Sequence, residues 1–402
     1  PLMLKGKQKE AYIHVERAGD GPITKVEIDR AVVDMCDEAE KVRKSRKRYP
    51  TLWVDTLKDE KRPTAKAMKR GGTRIVCNGP VEHSLSMRRN FMHFSAAFMS
   101  QRRRFYHAVG INPVSHEWHD LAGRLINKSS KVVTLDYTNF GPGLNSRVAA
   151  AVCGLIVDWT EKHVEGVDRN EMDMLMEEII NSHHIVSNTV YSQNSGAPSG
   201  NVLTSLINSM VNIFYILLAW QGLMKDAVQN RGKLVFQEFK KSVCLVVYGD
   251  DLIMTVAEPY TELFTAVTIS QFFADYGIVA TDALKTGTVV PYTSLENSEF
   301  LKRTFVWHPW RQLWMSKLRD ETIVSTTQWV WSSPNVEAST SVNCEVALMN
   351  AHGHGQKKFD EYKEAINTAL AKRKIDPIMI SWKEIDEMIY DKGVVDVKWN
   401  IR

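Results

Sequence analysis

The stretch from Val243 to Val256 constrains this chain more than any other. Two apolar runs, Val243-Cys244-Leu245-Val246-Val247 and Leu252-Ile253-Met254-Thr255-Val256, flank the tetrad Tyr248-Gly249-Asp250-Asp251. Runs of this kind read as buried strands, and Gly-Asp between them reads as a tight hairpin turn. Two carboxylates at the tip of a rigid hairpin repel each other. The arrangement is unfavourable unless cations hold it, and Mg²⁺ or Mn²⁺ prefers such hard oxygen ligands. Gly and Asp are also ordinary turn residues, so the tetrad alone fits a solvated turn equally well.

The 402 residues suffice for two or three domains with a substantial core, and 44% hydrophobic with 24% charged residues is the balance of a globular protein. No apolar run reaches the length of a membrane span; the longest, around Ile213 to Trp220, fits a buried helix end. No signal peptide opens the chain, and its start at Pro1 predicts a processed or truncated piece of something longer. Cys36, Cys77, Cys153, Cys244 and Cys344 have no pairing or metal-ligand spacing and read as reduced thiols of an intracellular compartment.

Charge is distributed unevenly. The net charge is only +4, but residues 41–104 hold 18 Lys and Arg against 4 Asp and Glu. Such a block implies a polyanionic partner, either nucleic acid or nucleotide phosphates. Leu52, Trp53, Val54, Ile75, Val76, Phe91 and Phe94 run through it, so it reads as folded rather than as a disordered basic arm.

Helical spacing covers Val26 to Lys47 and Glu82 to Phe105, with a short strand at Leu52 to Asp55. Between them, Lys58, Arg62, Lys66 and Arg74 surround Gly71-Gly72, a loop or hairpin able to grip a triphosphate with several cations. Lys131 to Asp136 reads as a strand ending in an acid, followed by a helix from Ser146 to about Lys162. A helix over Arg169 to Ser182 and a strand over Ile185 to Tyr191 come next. The small-residue loop Ser195-Gly196-Ala197-Pro198-Ser199-Gly200-Asn201 opens a long apolar helix, Leu203 to Gln221. There Thr204 and Asn208 share one face. A helix over Tyr260 to Tyr276 and a strand over Ser298 to Arg303 follow the hairpin. Helices are expected at Asn335–Asn350 and Lys357–Leu370.

Each piece is weak alone; their order is not. The chain resembles the RNA-dependent RNA polymerases of picorna-like positive-strand RNA viruses, iflavirus-type members most of all, over nearly its whole length. Lys58-Asp59-Glu60 through Arg74 resembles the basic nucleotide-entry motif, and Asp136-Tyr137-Thr138 the first metal-binding motif. Ser195 to Gly200 with Thr204 and Asn208 resembles the ribose and template motif. Tyr248 to Asp251 is the signature hairpin. Tyr276-Gly277 with Lys285 is similar to the motif of a proposed proton donor, and Phe300-Leu301-Lys302-Arg303 to the primer-gripping strand.

The resemblance implies an α+β right-hand polymerase with fingers, a palm of antiparallel sheet backed by helices, and a mainly helical thumb. Its implied boundaries are fingers 1–93 with a return segment 173–192, palm 94–172 and 193–308, and thumb 309–402. Asp136, Asp250 and Asp251 would hold two Mg²⁺ or Mn²⁺ ions, and Lys285 would protonate the leaving pyrophosphate. Lys58, Arg62, Lys66, Arg74, Ser195, Thr204 and Asn208 would hold the nucleotide. Gly196, Ser199, Gly200, Lys302 and Arg303 would hold RNA. The implied partners are template and primer RNA, NTPs, a small protein primer and other replication proteins. The implied place is the host-cell cytoplasm, at membrane-associated replication complexes.

Two departures from the family pattern stand out. Gly141 occupies the position where most members carry an Asp that senses the ribose 2′-hydroxyl, so ribose selection is expected to rest on Asn208, Ser195 and Thr204 with a neighbour such as Asn139 or Asn145, and Asn208 is the expected main sensor. The chain also starts later than family members, which implies a missing N-terminal finger segment. A reverse transcriptase, with Phe140 as steric gate, and a non-catalytic RNA-binding protein are the rival readings. Asn208 argues against the first, and Asp136 with Asp250 against the second.

Overall fold

The computed structural model describes residues 12–19, 22–60, 62, 64–225, 233–283, 287–330 and 333–392. The chain opens with strands β1 (Ile13–Arg17) and β2 (Ile23–Ile28), helix α1 (Arg30–Lys44), β3 (Leu52–Leu57), α2 (Thr64–Ala67) and β4 (Ile75–Asn78). Then come α3 (Val81–Ser100), α4 (His116–Lys128), β5 (Val132–Tyr137), α5 (Ser146–His163), α6 (Arg169–Ile180), β6 (Ser182–Val186) and β7 (Thr189–Gln193). After α7 (Thr204–Met224) and α8 (Lys233–Ser242) lie β8 (Val243–Tyr248), β9 (Asp251–Val256), α9 (Ala266–Ala274) and β10 (Ala280–Asp282). The rest comprises β11 (Glu299–Phe300), β12 (Arg303–His308), β13 (Leu313–Leu318), α10 (Asp320–Thr327), α11 (Val336–Ala351), α12 (Gln356–Lys372) and α13 (Trp382–Tyr390).

These elements fall into two compact units, residues 1–105 with 139–214 and residues 106–138 with 215–402. The first unit holds a four-stranded sheet in the order β4-β3-β6-β7, in which β3 and β6 run parallel and the other pairs antiparallel. Helices α1, α3, α5 and α6 pack on one another. Inside that packing Arg43 and Glu178 are both fully buried and paired at 2.9 Å. Glu178 also accepts bonds from Tyr49 N–H (3.1 Å) and the Thr51 hydroxyl (2.7 Å). A buried ion pair of this kind persists only because the remaining lone pairs are also satisfied.

The second unit holds the sheet β10-β5-β9-β8, entirely antiparallel, with α4 and α9 packed near it. Strand β8 has a further neighbour that sequence patterning missed: Val247 N–H donates to Tyr106 O at 2.9 Å. A separate three-stranded sheet, β11-β12-β13, packs Phe300 and Phe305 on Trp118. The apolar cluster of Ile323, Leu348, Phe359, Trp382 and Ile385 joins α10 to α13.

Several local expectations change. Val26 to Ile28 belongs to β2, and the helix starts only at Arg30, where the Asp29 side chain accepts from Ala31 N–H. The helix expected from Tyr260 begins at Ala266, because Thr265 and Thr268 form a capping box there. The strand expected over Ile185 to Tyr191 is the β6–β7 hairpin, turned at Ser187 and Asn188 with Ser187 at φ 51°. The single strand expected over Ser298 to Arg303 is also a hairpin, turned at Leu301 and Lys302. Helix α7 is long and apolar enough by length and composition to cross a membrane, against the expectation that no segment reaches that length. Its Leu206, Ile207, Val211, Ile216, Ala219 and Trp220 are buried, as in a core helix.

Candidate active site

Strand β5 is buried along its length except at Asp136, which is only half-buried. Its register with β9 pairs Leu135 with Leu252, so one further step sets Asp136 opposite Asp251. Opposite residues of an antiparallel pair share a face, which brings these two carboxylates together. Tyr248 pairs with Asp251 across a two-residue turn formed by Gly249 and Asp250. Gly249 has φ 62°, the left-handed first turn residue that a tight hairpin requires and glycine tolerates. Asp136, more than a hundred residues upstream in sequence, thereby joins the hairpin tip.

A cavity of about 130 Å³ is lined by Asp136, Asp251, Glu299, Leu301, Lys302 and Arg319, with Leu135, Leu252 and Ala283 closing its wall. Burial raises the Asp251 carboxyl to about 6, and the negative charges of Asp250, Asp136 and Glu299 push in the same direction. Lys302 opposes them. Carboxylates crowded until one titrates near 6 repel one another more than Lys302 and Arg319 offset, and a bound cation would relieve that repulsion. The donor set is all hard oxygen, which fits Mg²⁺ or Mn²⁺ and not a soft ion.

Lys302 reaches this cavity through an uncommon backbone. Leu301 and Lys302 have φ 55° and 59°, both left-handed, in the two-residue turn between β11 and β12. Side chains in that region cost roughly 1 kcal/mol or more each, and such strain gathers at functional positions. Arg303 behaves differently. Its guanidinium donates to Asn350 Oδ1 (2.8 Å) and Ser316 Oγ (3.3 Å), and burial lowers its pKa to about 10. Arg303 therefore ties β12 to β13 and α11, and of the two cations expected to hold RNA only Lys302 lines the cavity. Glu299 and Arg319, which form a bidentate pair, were not singled out by sequence reasoning. Arg319 lies next to a helix start with no motif around it, so nothing in the sequence marked it.

The remaining expected residues, Lys285 excepted, lie in the first unit. Lys58, Arg62 and Arg74 converge on Glu60, whose carboxyl Arg74 foremost holds down at about 2. Three cations around one anion leave a net positive site held in fixed geometry, so Glu60 arranges the basic loop. The side chain of Lys66 lies outside the described residues, as does all of Lys285.

In the small-residue loop, Ser195 is exposed and its carbonyl accepts from Gln193 Nε2 at 2.6 Å. Ser199 Oγ accepts from Cys77 N–H at 3.1 Å. The Thr204 hydroxyl donates to Asn201 O at 2.7 Å, so it pins the loop to the start of α7. Asn208 Oδ1 is buried and has no hydrogen-bond partner among the described residues. A buried acceptor left unpaired costs about 1–3 kcal/mol, which a ligand hydroxyl would recover.

Two glycines of this loop are required by close approach. At Gly196, φ is 80° and a Cβ would lie 2.8 Å from Gly141 O; at Gly200 a Cβ would lie 2.1 Å from Cys77 O. Gly200→Ala is expected to destabilise the first unit by about 1–3 kcal/mol and to raise proteolysis at the loop. Gly141, where a Cβ meets nothing within 4 Å, is the control: Gly141→Asp should change stability by less than about 0.5 kcal/mol. Urea denaturation of both variants checks the pair, and equal stability would refute the close-approach argument.

Comparison with known proteins decides the family. Residues 2–371 match the viral RNA-dependent RNA polymerase family. The chain belongs to that family. It is 35% identical over 345 residues to the genome polyprotein of deformed wing virus, and 30% identical over 340 residues to the replicase polyprotein of acute bee paralysis virus. Those matches cover 85% and 83% of this chain but only 12% and 18% of the polyproteins. The picorna-like resemblance carried by the motifs holds, iflavirus-type included. A solved sicinivirus 3Dpol RNA-dependent RNA polymerase is similar at TM-score 0.73 and 20% identity, covering 92% of this chain and 72% of that one. At that identity the likeness shows the fold alone, the α+β polymerase fold implied by the motif order.

Proposed function

We propose that this chain performs template-directed RNA synthesis, transferring a nucleoside monophosphate from an NTP to an RNA 3′-hydroxyl and releasing pyrophosphate. The observation that carries this reading is Asp136 set opposite Asp251 beside the Gly249–Asp250 turn. Asp136 and Asp250, assisted by Asp251, would hold two Mg²⁺ or Mn²⁺ ions, which when bound lower the pKa of the attacking hydroxyl and neutralise the leaving group. Lys302 lines the same cavity and offers the attacking end of the RNA a cation. Lys58, Arg62 and Arg74, arranged by Glu60, supply the charge that steadies a triphosphate, joined by Lys66. Lys285 supplies the proton that pyrophosphate takes on leaving.

Primer extension on an RNA template checks the activity. NTP incorporation that requires Mg²⁺ or Mn²⁺ is expected, and none in EDTA; equal or better use of dNTPs would favour a reverse transcriptase. The assignment of residues 1–93 and 173–192 to fingers, 94–172 and 193–308 to palm and 309–402 to thumb rests on the same family reading. So do a small protein primer, other replication proteins as partners, and a place at membrane-associated complexes of the host cytoplasm. Fractionation of infected cells tests the last of these.

Asn208 is the expected ribose sensor, because its buried Oδ1 awaits a donor and the 2′-hydroxyl is one. Asn208→Ala should reduce discrimination between ribo- and deoxyribonucleotides by about 10- to 100-fold, the worth of one buried hydrogen bond. Unchanged discrimination would remove Asn208 from that role.

A further inference from the structure

The four-stranded sheet of the first unit carries a row of polar side chains that polymerase chemistry does not use. Cross-strand register puts Cys77 of β4 opposite Asp55 of β3. His184 of β6 pairs with Trp53, two residues before Asp55 and so on the same face, and Tyr191 of β7 pairs with His184. Asp55 Oδ1 accepts from His184 Nδ1 at 2.9 Å, and Oδ2 accepts from the Tyr191 hydroxyl. The Cys77 thiol is hydrogen-bonded to Asp55. One carboxylate oxygen, one sulfur and one imidazole nitrogen lie within 4.8 Å of one another.

Charge separates this cluster from the other His-containing one. In the second unit His308, His352 and Asp386 also converge, but there Arg311 Nε already sits 2.5 Å from Asp386 Oδ2. Asp55 has no such partner: among the described residues its ion pair is with His184 alone. It is 8% exposed, and its donors are otherwise neutral. Burial pushes its carboxyl up, but hydrogen bonds from Tyr191, His184 and Cys77 hold it below the usual carboxylate range, so it stands ionised and available as a ligand. With Cys77 as thiolate the trio carries two negative charges, which one dication balances.

We propose that Asp55, Cys77 and His184 bind a zinc ion, with water as the fourth ligand. Thiolate and imidazole select zinc over Mg²⁺, and a mixed S, N, O set suits its tetrahedral preference. The thiol proton leaves to solvent, and the imidazole carries its proton on Nε2. Ser182 Oγ stands 2.7 Å from that nitrogen and can accept it, the outer hydrogen bond that zinc-bound histidines ordinarily make. Cys77 is half-buried, which leaves an entry path. The ion would staple β4 to β3 and β6. Because Cys77 N–H donates to Ser199 Oγ and Cys77 O closes on Gly200, the staple would also steady the small-residue loop.

Cobalt(II) loaded into the full chain tests the site, since thiolate-bound cobalt absorbs in the near ultraviolet and oxygen-bound cobalt does not. One equivalent of thiolate-bound cobalt is expected, displaced by zinc and not by excess Mg²⁺. Cys77→Ser and His184→Gln should lose the band or weaken cobalt binding at least tenfold. Cys244→Ser and Asp136→Asn should keep it. Absence of the band in folded wild-type protein, or its survival in Cys77→Ser, overturns the proposal. Failure of this test leaves RNA synthesis untouched, because primer extension reads a different set of residues.

Discussion

Asp250→Asn is expected to cut metal-dependent nucleotide incorporation by at least about 10²- to 10³-fold, the scale on which one preorganised charge-stabilising group contributes to a transition state. The same substitution should raise the melting temperature in EDTA. Both effects have one cause. Asp136, Asp250, Asp251 and Glu299 crowd one end of the central sheet, and after burial the charge of Asp250 is the largest influence raising the Asp251 carboxyl to about 6. Without a bound cation that crowding is repulsion, and removing one negative charge relieves it. With a cation it is binding energy, and removing one charge loses it. Mg²⁺ should therefore raise the melting temperature of the wild type more than that of Asp250→Asn. Thermal melts with and without Mg²⁺, run beside primer extension, check both signs. Full activity in Asp250→Asn would end the catalytic reading, and an unchanged Mg²⁺ response would end the assignment of Asp250 as a metal ligand.

Glu178→Ala is expected to destabilise the first unit by roughly 3–5 kcal/mol, the usual consequence of leaving one member of a buried ion pair behind. Arg43 and Glu178 are each 0% exposed, and Arg43 donates to both carboxylate oxygens, from Nε at 3.0 Å and from a terminal nitrogen at 2.9 Å. Without Glu178 the guanidinium keeps, among the described residues, the Ser86 and Thr51 hydroxyls, both at 3.4 Å, and its place over the Tyr49 ring. Tyr49 N–H and the Thr51 hydroxyl lose their acceptor as well. The apolar double variant Arg43→Leu with Glu178→Leu should recover much of the loss, because no charge is then left buried. Denaturant titration measures both. If the single variant proved as stable as wild type, the pair would not be what joins α1 to α6.

Legibility varied from element to element. The hairpin from Val243 to Val256 appears where the sequence predicted it, and so do β5 and the helix that begins at Ser146. In all three, the apolar pattern and the turn residues agree. The hairpin at Leu301–Lys302 was read as one strand because neither residue announces a left-handed turn. Strand β13 escaped notice because its burial does not alternate cleanly: Leu313, Met315, Ser316 and Leu318 are buried. The capping box at Thr265 moved a helix start that apolar spacing alone had set too early.

For the site, motif order carried a resemblance that pointed to the family and proposed roles for Asp136, Asp250, Asp251 and Lys302, since each motif sits on its own strand or turn and is legible locally. Only the tertiary structure decided what shares the cavity. Glu299 and Arg319 enter it, and Arg303 is drawn away to Ser316 and Asn350. The same holds for Arg43 with Glu178 and for Asp55, Cys77 and His184, whose partners lie on strands and helices far apart in sequence. Pairing across such distances depends on sheet register and burial, which no local run of residues encodes. The Gly249 turn was therefore readable from the sequence, and the company its carboxylates keep was not.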